Sequence, residues 1–164
     1  LQRPSERCSQ GGFCMIIKIN LNNISKELLI SPDDTLLDVL RKTGCLSVKK
    51  GCESSSCGVC TVLLDGTPIL SCSYLAAKAD GHSVTTVEGI AEQAREIGEF
   101  IAAQGADQCG FCLPSLIIST YYLKNTIGNP TLKDIKQVLQ ANLCRCSGYE
   151  SQEAAVARYL GVKI

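Results

Sequence analysis

Between residues 15 and 30 the hydrophobic positions alternate with polar ones, in two successive runs. "MIIKINL" and "ISKELLI" each read as a strand, and the "NN" between them reads as a turn. The period then lengthens. In "SPDDTLLDVLRKTG" the side chains of Leu36, Leu37 and Leu40 share a helical face, Pro32, Asp33 and Asp34 occupy the start, and Gly44 supplies the stop. Two short β runs flank Asp65-Gly66 in "CTVLLDGTPILSC", a strong hairpin signal, and "HSVTTVEG" is expected to add a last strand. After Gly89 the period is helical throughout. "IAEQAREIGEFIAAQG" carries Ile90, Ala94, Ile97 and Ile101 at three- and four-residue steps, and "LPSLIISTYYLKN" has Pro114 near its start and is apolar on most faces. "NPTLKDIKQVLQAN" offers Thr131 and Asp134 as a capping box ahead of Leu132, Ile135, Val138 and Leu139, and "ESQEAAVARYL" completes a set of four helices. The expected division is a small β-rich unit with one helix over residues 15–88 and a compact helical unit over 89–164. Residues 1–14 precede the only methionine, Met15, and read as an upstream extension.

Composition narrows the function classes. Sixteen basic residues balance sixteen acidic ones, so nothing drives the chain toward nucleic acid or an anionic membrane surface. No stretch approaches the ~20 apolar residues of a membrane span, and "LQRPSERCSQGGFC" lacks the apolar core of a secretory signal. Eleven cysteines without such a signal argue for a reducing compartment, the cytoplasm, where thiols bind metal or do redox chemistry rather than pair as disulfides.

Eight of those cysteines fall into two groups. Cys52, Cys57, Cys60 and Cys72 follow the C-x4-C-x2-C…C spacing of plant-type ferredoxins, in which four thiolates hold a [2Fe–2S] cluster. The small residues of "GCESSSCGVC" let backbone amides approach the sulfurs of an anionic cluster. Cys109 and Cys112 then form C-x2-C at an expected helix start, where amides and the dipole favour thiolates, and Cys144 and Cys146 form C-x-C after another helix. Arg145 lies between the last two, either offsetting cluster charge or solvated. Taken alone, this second group is also compatible with structural zinc, since four thiolates in a tetrahedron satisfy either metal, and the neighbouring ferredoxin-type loop favours iron–sulfur.

Together, "GCESSSCGVCTVLLDG", "QCGFCLP" and "NLCRCSGY" resemble the small iron–sulfur subunit of the molybdenum hydroxylases, the xanthine dehydrogenase and aldehyde oxidase family. The resemblance covers roughly residues 15 to 160. It implies an α+β chain: an N-terminal plant-type ferredoxin-like β-grasp domain followed by a C-terminal four-helix bundle domain, each with one [2Fe–2S] cluster. It implies an electron-transfer subunit with no substrate site of its own, in a hetero-oligomer with a molybdenum–pterin large subunit and an FAD-binding medium subunit. The second cluster would face the molybdopterin and the first the FAD. Gln108 matches the family glutamine that hydrogen-bonds the pterin. "CLSVKKGC" is most similar to the xanthine dehydrogenase type, with aldehyde, CO and aromatic or N-heterocycle dehydrogenases as alternatives. Ser55, Leu113, Ser115 and Gln152 depart from the family pattern. None removes a ligand, but each places an extra side chain near a cluster or a partner.

Other readings apply to the remaining features. A zinc-binding interaction module would share the thiolate sets, and a self-standing ferredoxin or redox sensor would share the clusters. Cys45 reads as a small buried hydrophobe and Tyr121 and Tyr122 as core, while Lys49 and Lys50 read as a solvated face. A single histidine, His82, excludes a Rieske centre, which needs two, and leaves no Cys–His–Asp arrangement for catalysis. Apart from the resemblance, Gln108 reads as an ordinary surface residue.

Overall fold

The computed structural model describes residues 13–163. Residues 1–12 of the expected extension, with Cys8, lie outside them; Cys14 is disulfide-bonded. Among the described residues regular structure begins at Met15. Strand β1 (Met15–Leu21) pairs antiparallel with β2 (Ile24–Ile30) across Asn22 and Asn23, both of which take the left-handed conformation that a two-residue hairpin requires. Alternation puts Ile17, Ile19 and Leu21 on the buried face. Helix α1 (Leu36–Lys42) covers that face with Leu36, Leu37, Val39 and Leu40. It starts later than its acidic approach implied. Thr35, not the Pro32–Asp34 stretch, caps it, its hydroxyl accepting from the Asp38 amide at 3.2 Å.

The second hairpin, β3 (Thr61–Leu64) and β4 (Thr67–Leu70), turns at Asp65-Gly66 as the sequence predicts. The last strand, β5 (Ser83–Thr85), does not add at an edge. It enters the centre of a five-stranded sheet ordered β2-β1-β5-β3-β4, parallel to β1 and antiparallel to β3. Only three residues long, it joins the two hairpins into one sheet.

Four helices follow: α2 (Ala91–Ala103), α3 (Leu113–Tyr122), α4 (Leu132–Leu139) and α5 (Glu150–Tyr159). The capping box of α4 forms as expected, with the Thr131 amide donating to the Asp134 carboxylate at 2.8 Å. Helix α3 runs on through a wider π turn over Leu123–Ile127 before Gly128 ends it. Ile97 and Ile101 of α2, Leu116 and Ile118 of α3, Ile135 of α4 and Val156 of α5 form a second apolar cluster, which Leu63 of β3 joins from the sheet. Tyr121 and Tyr122 are half-buried against this cluster, and Cys45 is buried in the first. The chain is therefore a mixed α+β structure with two apolar clusters in contact.

The contact between them is tight at one place. A Cβ added to Gly58 would lie 1.5 Å from the carbonyl oxygen of Ala141, and the Leu143 amide donates to the Cys57 carbonyl at 2.8 Å. The loop after α1 and the loop after α4 thus meet backbone to backbone, and both loops carry cysteines.

Candidate functional site

The first group is built on the loop between α1 and β3, with Cys72 returned by the β3–β4 hairpin in the short turn Ser71–Ser73. The loop uses its small residues to aim amides at sulfur. The backbone N–H of Cys57, then those of Ser54 and Ser56, donate to the Cys52 thiol and hold its pKa down to about 6. The Cys57 thiol receives the amides of Val59 and Gly51, although burial dominates and pushes it up. Burial pushes Cys60 further, to about 11. Ser55 adopts a left-handed conformation, φ +56°, and its hydroxyl lies 3.4 Å from the Cys72 sulfur.

The second group lies on two loops. Cys112 is the residue immediately before α3, Cys109 precedes it in a turn, and Cys144 and Cys146 follow α4. Burial pushes the Cys144 thiol up, but the hydroxyl and amide of Ser147 donate to its sulfur at 3.1 and 3.4 Å and bring it to about 7. Cys112 is also buried and therefore raised, and the Gln152 amide opposes that by donating to its sulfur at 3.4 Å. Cys109 and Cys146 sit at the surface with their sulfurs 3.6 Å apart.

The eight thiols are thus arranged in pairs: Cys52 with Cys57, Cys60 with Cys72, Cys109 with Cys146, Cys112 with Cys144. Among the described residues no three His, Cys, Asp or Glu side chains gather round a point for a single ion. A mononuclear zinc site asks for four thiolates about one centre. A dinuclear cluster asks for two on each of two irons, and two pairs per group is that donor set. The residues present fit two [2Fe–2S] clusters, with anionic sulfur met by amide donors and one buried wall.

Cys57 and Val59 from the first loop pack directly on Cys112 and Cys144 from the second, forming a small buried cluster between the two sets. On the other side of the second set, Cys109 and Cys146 are exposed, as is Gln108 beside Cys109. Phe111, Leu143 and Tyr149, which neighbour these cysteines in sequence, are 45, 54 and 42 % exposed, and the Phe111 ring lies beside Gly51 of the first loop. Ser115 is buried and bridges the Cys112 carbonyl at 2.9 Å and the buried Asn142 side chain. Lys50 pairs with Glu53 at 3.1 Å at the surface, and His82 pairs with Asp65 in the β3–β4 turn. Sequence reasoning missed Ser147 as a sulfur donor and Gly58 as the contact point between loops. A hydroxyl three residues after Cys144 and a glycine inside the cysteine loop were the available signals.

This donor set defines an iron–sulfur protein, and comparison with known proteins agrees. Residues 19–86 match the family described as "2Fe-2S iron-sulfur cluster binding domain" and residues 86–157 the family described as "[2Fe-2S] binding domain". The chain is 44 % identical over 138 residues to the xanthine dehydrogenase iron–sulfur-binding subunit of Escherichia coli O157:H7, covering 82 % of this chain and 87 % of that one. It is 38 % identical over 143 residues to the nicotinate dehydrogenase small FeS subunit of Eubacterium barkeri, covering 85 and 91 %. Among solved structures, quinoline 2-oxidoreductase from Pseudomonas putida 86 superposes with a TM-score of 0.81 at 33 % identity, covering 90 % of this chain and 93 % of the matched chain. The chain belongs to the molybdenum hydroxylase family, as its small subunit with two [2Fe–2S] domains.

Proposed function

We propose that the chain relays electrons from a molybdenum–pterin chain to a flavin chain within one hetero-oligomer. Cys52, Cys57, Cys60 and Cys72 would hold one cluster, and Cys109, Cys112, Cys144 and Cys146 the other. When bound, each cluster accepts and releases one electron at a time. The observation that carries the reading is the seam at which Cys57 and Val59 pack on Cys112 and Cys144, with the Leu143 amide bonded to the Cys57 carbonyl. It joins the two thiol sets through packed atoms and one hydrogen bond, as a two-stop path needs. The residues of this chain perform no bond-making step. They hold the sulfurs, exclude water at the seam and supply N–H donors whose attraction for the reduced form sets potentials.

The domain division at residues 88 and 89, a ferredoxin-like β-grasp unit followed by a four-helix bundle, belongs to the same reading. It is supported by the α1-covered sheet, the four helices after it and the two family matches. The exposed edge at Gln108, Cys109 and Cys146 is the face assigned to the molybdenum chain, with Gln108 reaching the pterin. A xanthine dehydrogenase-type complex is favoured by "CLSVKKGC" and by the 44 % identity to that kind of subunit. Within the described residues no helix is long and apolar enough to cross a membrane, and thiolates committed to clusters suit a reducing, cytoplasmic compartment.

Purification of the tagged chain from its native host tests this reading. It should carry with it a molybdenum–pterin chain and a flavin chain in fixed ratio, and substrate added to the mixture should reduce both clusters. A chain that purifies alone and is reduced by no such partner would contradict it.

A further inference from the structure

Gln152 stands in the first turn of α5, and only 4 % of it is exposed. Its Nε2 lies 3.4 Å from the sulfur of Cys112, which is itself buried at 7 % exposure. A thiolate offers only lone pairs, so the amide must present its N–H side to the sulfur. Buried polar side chains are kept where they have a partner, because an unpaired amide in such a place is destabilising. Here the partner is a cluster ligand rather than the backbone, and the position sits 40 residues away in sequence.

We infer that Gln152 is a positioning residue that holds an N–H on the Cys112 sulfur and thereby raises the reduction potential of the second cluster. The inference rests on the reading of Cys112 as a ligand of that cluster. The sign follows from charge. Reduction adds one electron to a centre whose sulfurs carry much of the density, so a donor at sulfur stabilises the reduced form more than the oxidised one. Burial of both groups keeps water from replacing the bond, so its loss is felt in full. Ser147 supplies the corresponding donors to Cys144, so the inner, buried pair Cys112–Cys144 receives side-chain N–H and O–H groups. Gln152 is the one of these that reaches across from another helix, which ties the potential to the placement of α5 beside Cys112.

The test is a redox titration of the full chain, purified with its clusters and followed by EPR, comparing wild type with Gln152→Met and Gln152→Leu. Gln152 lines a cavity of about 320 Å³ with Leu116, Leu139 and Asn142, so both replacements have room. The expected result is a midpoint lowered for one signal only. A tenfold change in the one-electron equilibrium, about 59 mV, is the shift the titration should read. The other signal should not move. Iron and sulfide at the wild-type level with both midpoints unmoved would overturn the inference and leave the relay intact. Loss of the second cluster from both variants alike would assign Gln152 to packing, and would also overturn it. Failure of the underlying reading looks different: Cys112→Ser would then retain both EPR signals unaltered.

Discussion

Replacing Gly58 by alanine should damage the chain out of proportion to one methyl group. The new Cβ would sit 1.5 Å from the Ala141 carbonyl oxygen, where real Cβ atoms keep at least 3.0 Å, and the nearest obstacles are all backbone. Ala141 to Leu143 would have to retreat, and with them the 2.8 Å bond from the Leu143 amide to the Cys57 carbonyl. Three costs combine. The left-handed backbone at φ +71° costs a non-glycine residue about 1 kcal/mol. Forcing the seam apart costs about 1–3 kcal/mol, as overpacking does elsewhere. The stretched hydrogen bond leaves buried groups worth another ~1 kcal/mol. A loss of roughly 3–5 kcal/mol in a chain of this size lowers the melting temperature by about 10 °C or somewhat more. Gly66→Ala is the internal control: its φ is +80° but nothing lies within 4 Å, so only the backbone cost remains. Thermal melts of both variants at one scan rate, followed by circular dichroism and by visible absorbance, separate the terms. Gly58→Ala melting within a degree or two of Gly66→Ala would refute the argument that the two cysteine loops are locked at this seam.

Cys60→Ser should abolish or distort one EPR signal and leave the other readable; simultaneous loss of both would mean that the two thiol sets fold as one unit. Gln108→Ala should leave iron content and both signals unchanged yet slow turnover of the assembled complex, and wild-type turnover would remove its assignment to the pterin. Burial pushes the Glu88 carboxyl up, but the Ser47 hydroxyl and amide and the Thr86 hydroxyl outweigh this and hold it below its ordinary value. Its contribution is therefore present above the ordinary glutamate pKa of about 4.3 and is lost as pH falls through the lower folded value. Melts of wild type and Glu88→Gln between neutral pH and pH 3 should converge in acid, whereas parallel curves would contradict the assignment.

Much of this was legible in the sequence where a local rule decides the outcome. The two hairpins were, because Asn22-Asn23 and Asp65-Gly66 take turn conformations that few residues accept. The α4 capping box was, because Thr131 and Asp134 satisfy each other within one turn. The start of α1 was misplaced, since Pro32, Asp33 and Asp34 resemble a first turn and only the geometry shows Thr35 bonding to Asp38. The central place of β5 was hidden because three residues carry no register information, and strand order depends on pairing partners distant in the chain. The cysteine spacing announced the chemistry. The donor Gln152 and the seam at Gly58 depend on contacts between residues up to 86 positions apart, as for Leu143 and Cys57, and no local pattern encodes them, whereas Ser147 reaches Cys144 from three residues away and could have been read locally.

The most direct measurement is iron, sulfide and zinc content per chain on anaerobically purified protein, with EPR after dithionite reduction. The two [2Fe–2S] domains predict about four irons and four sulfides, no zinc, and two distinct S = 1/2 signals. Two irons with a single signal, or zinc in place of iron, would contradict the two-cluster relay.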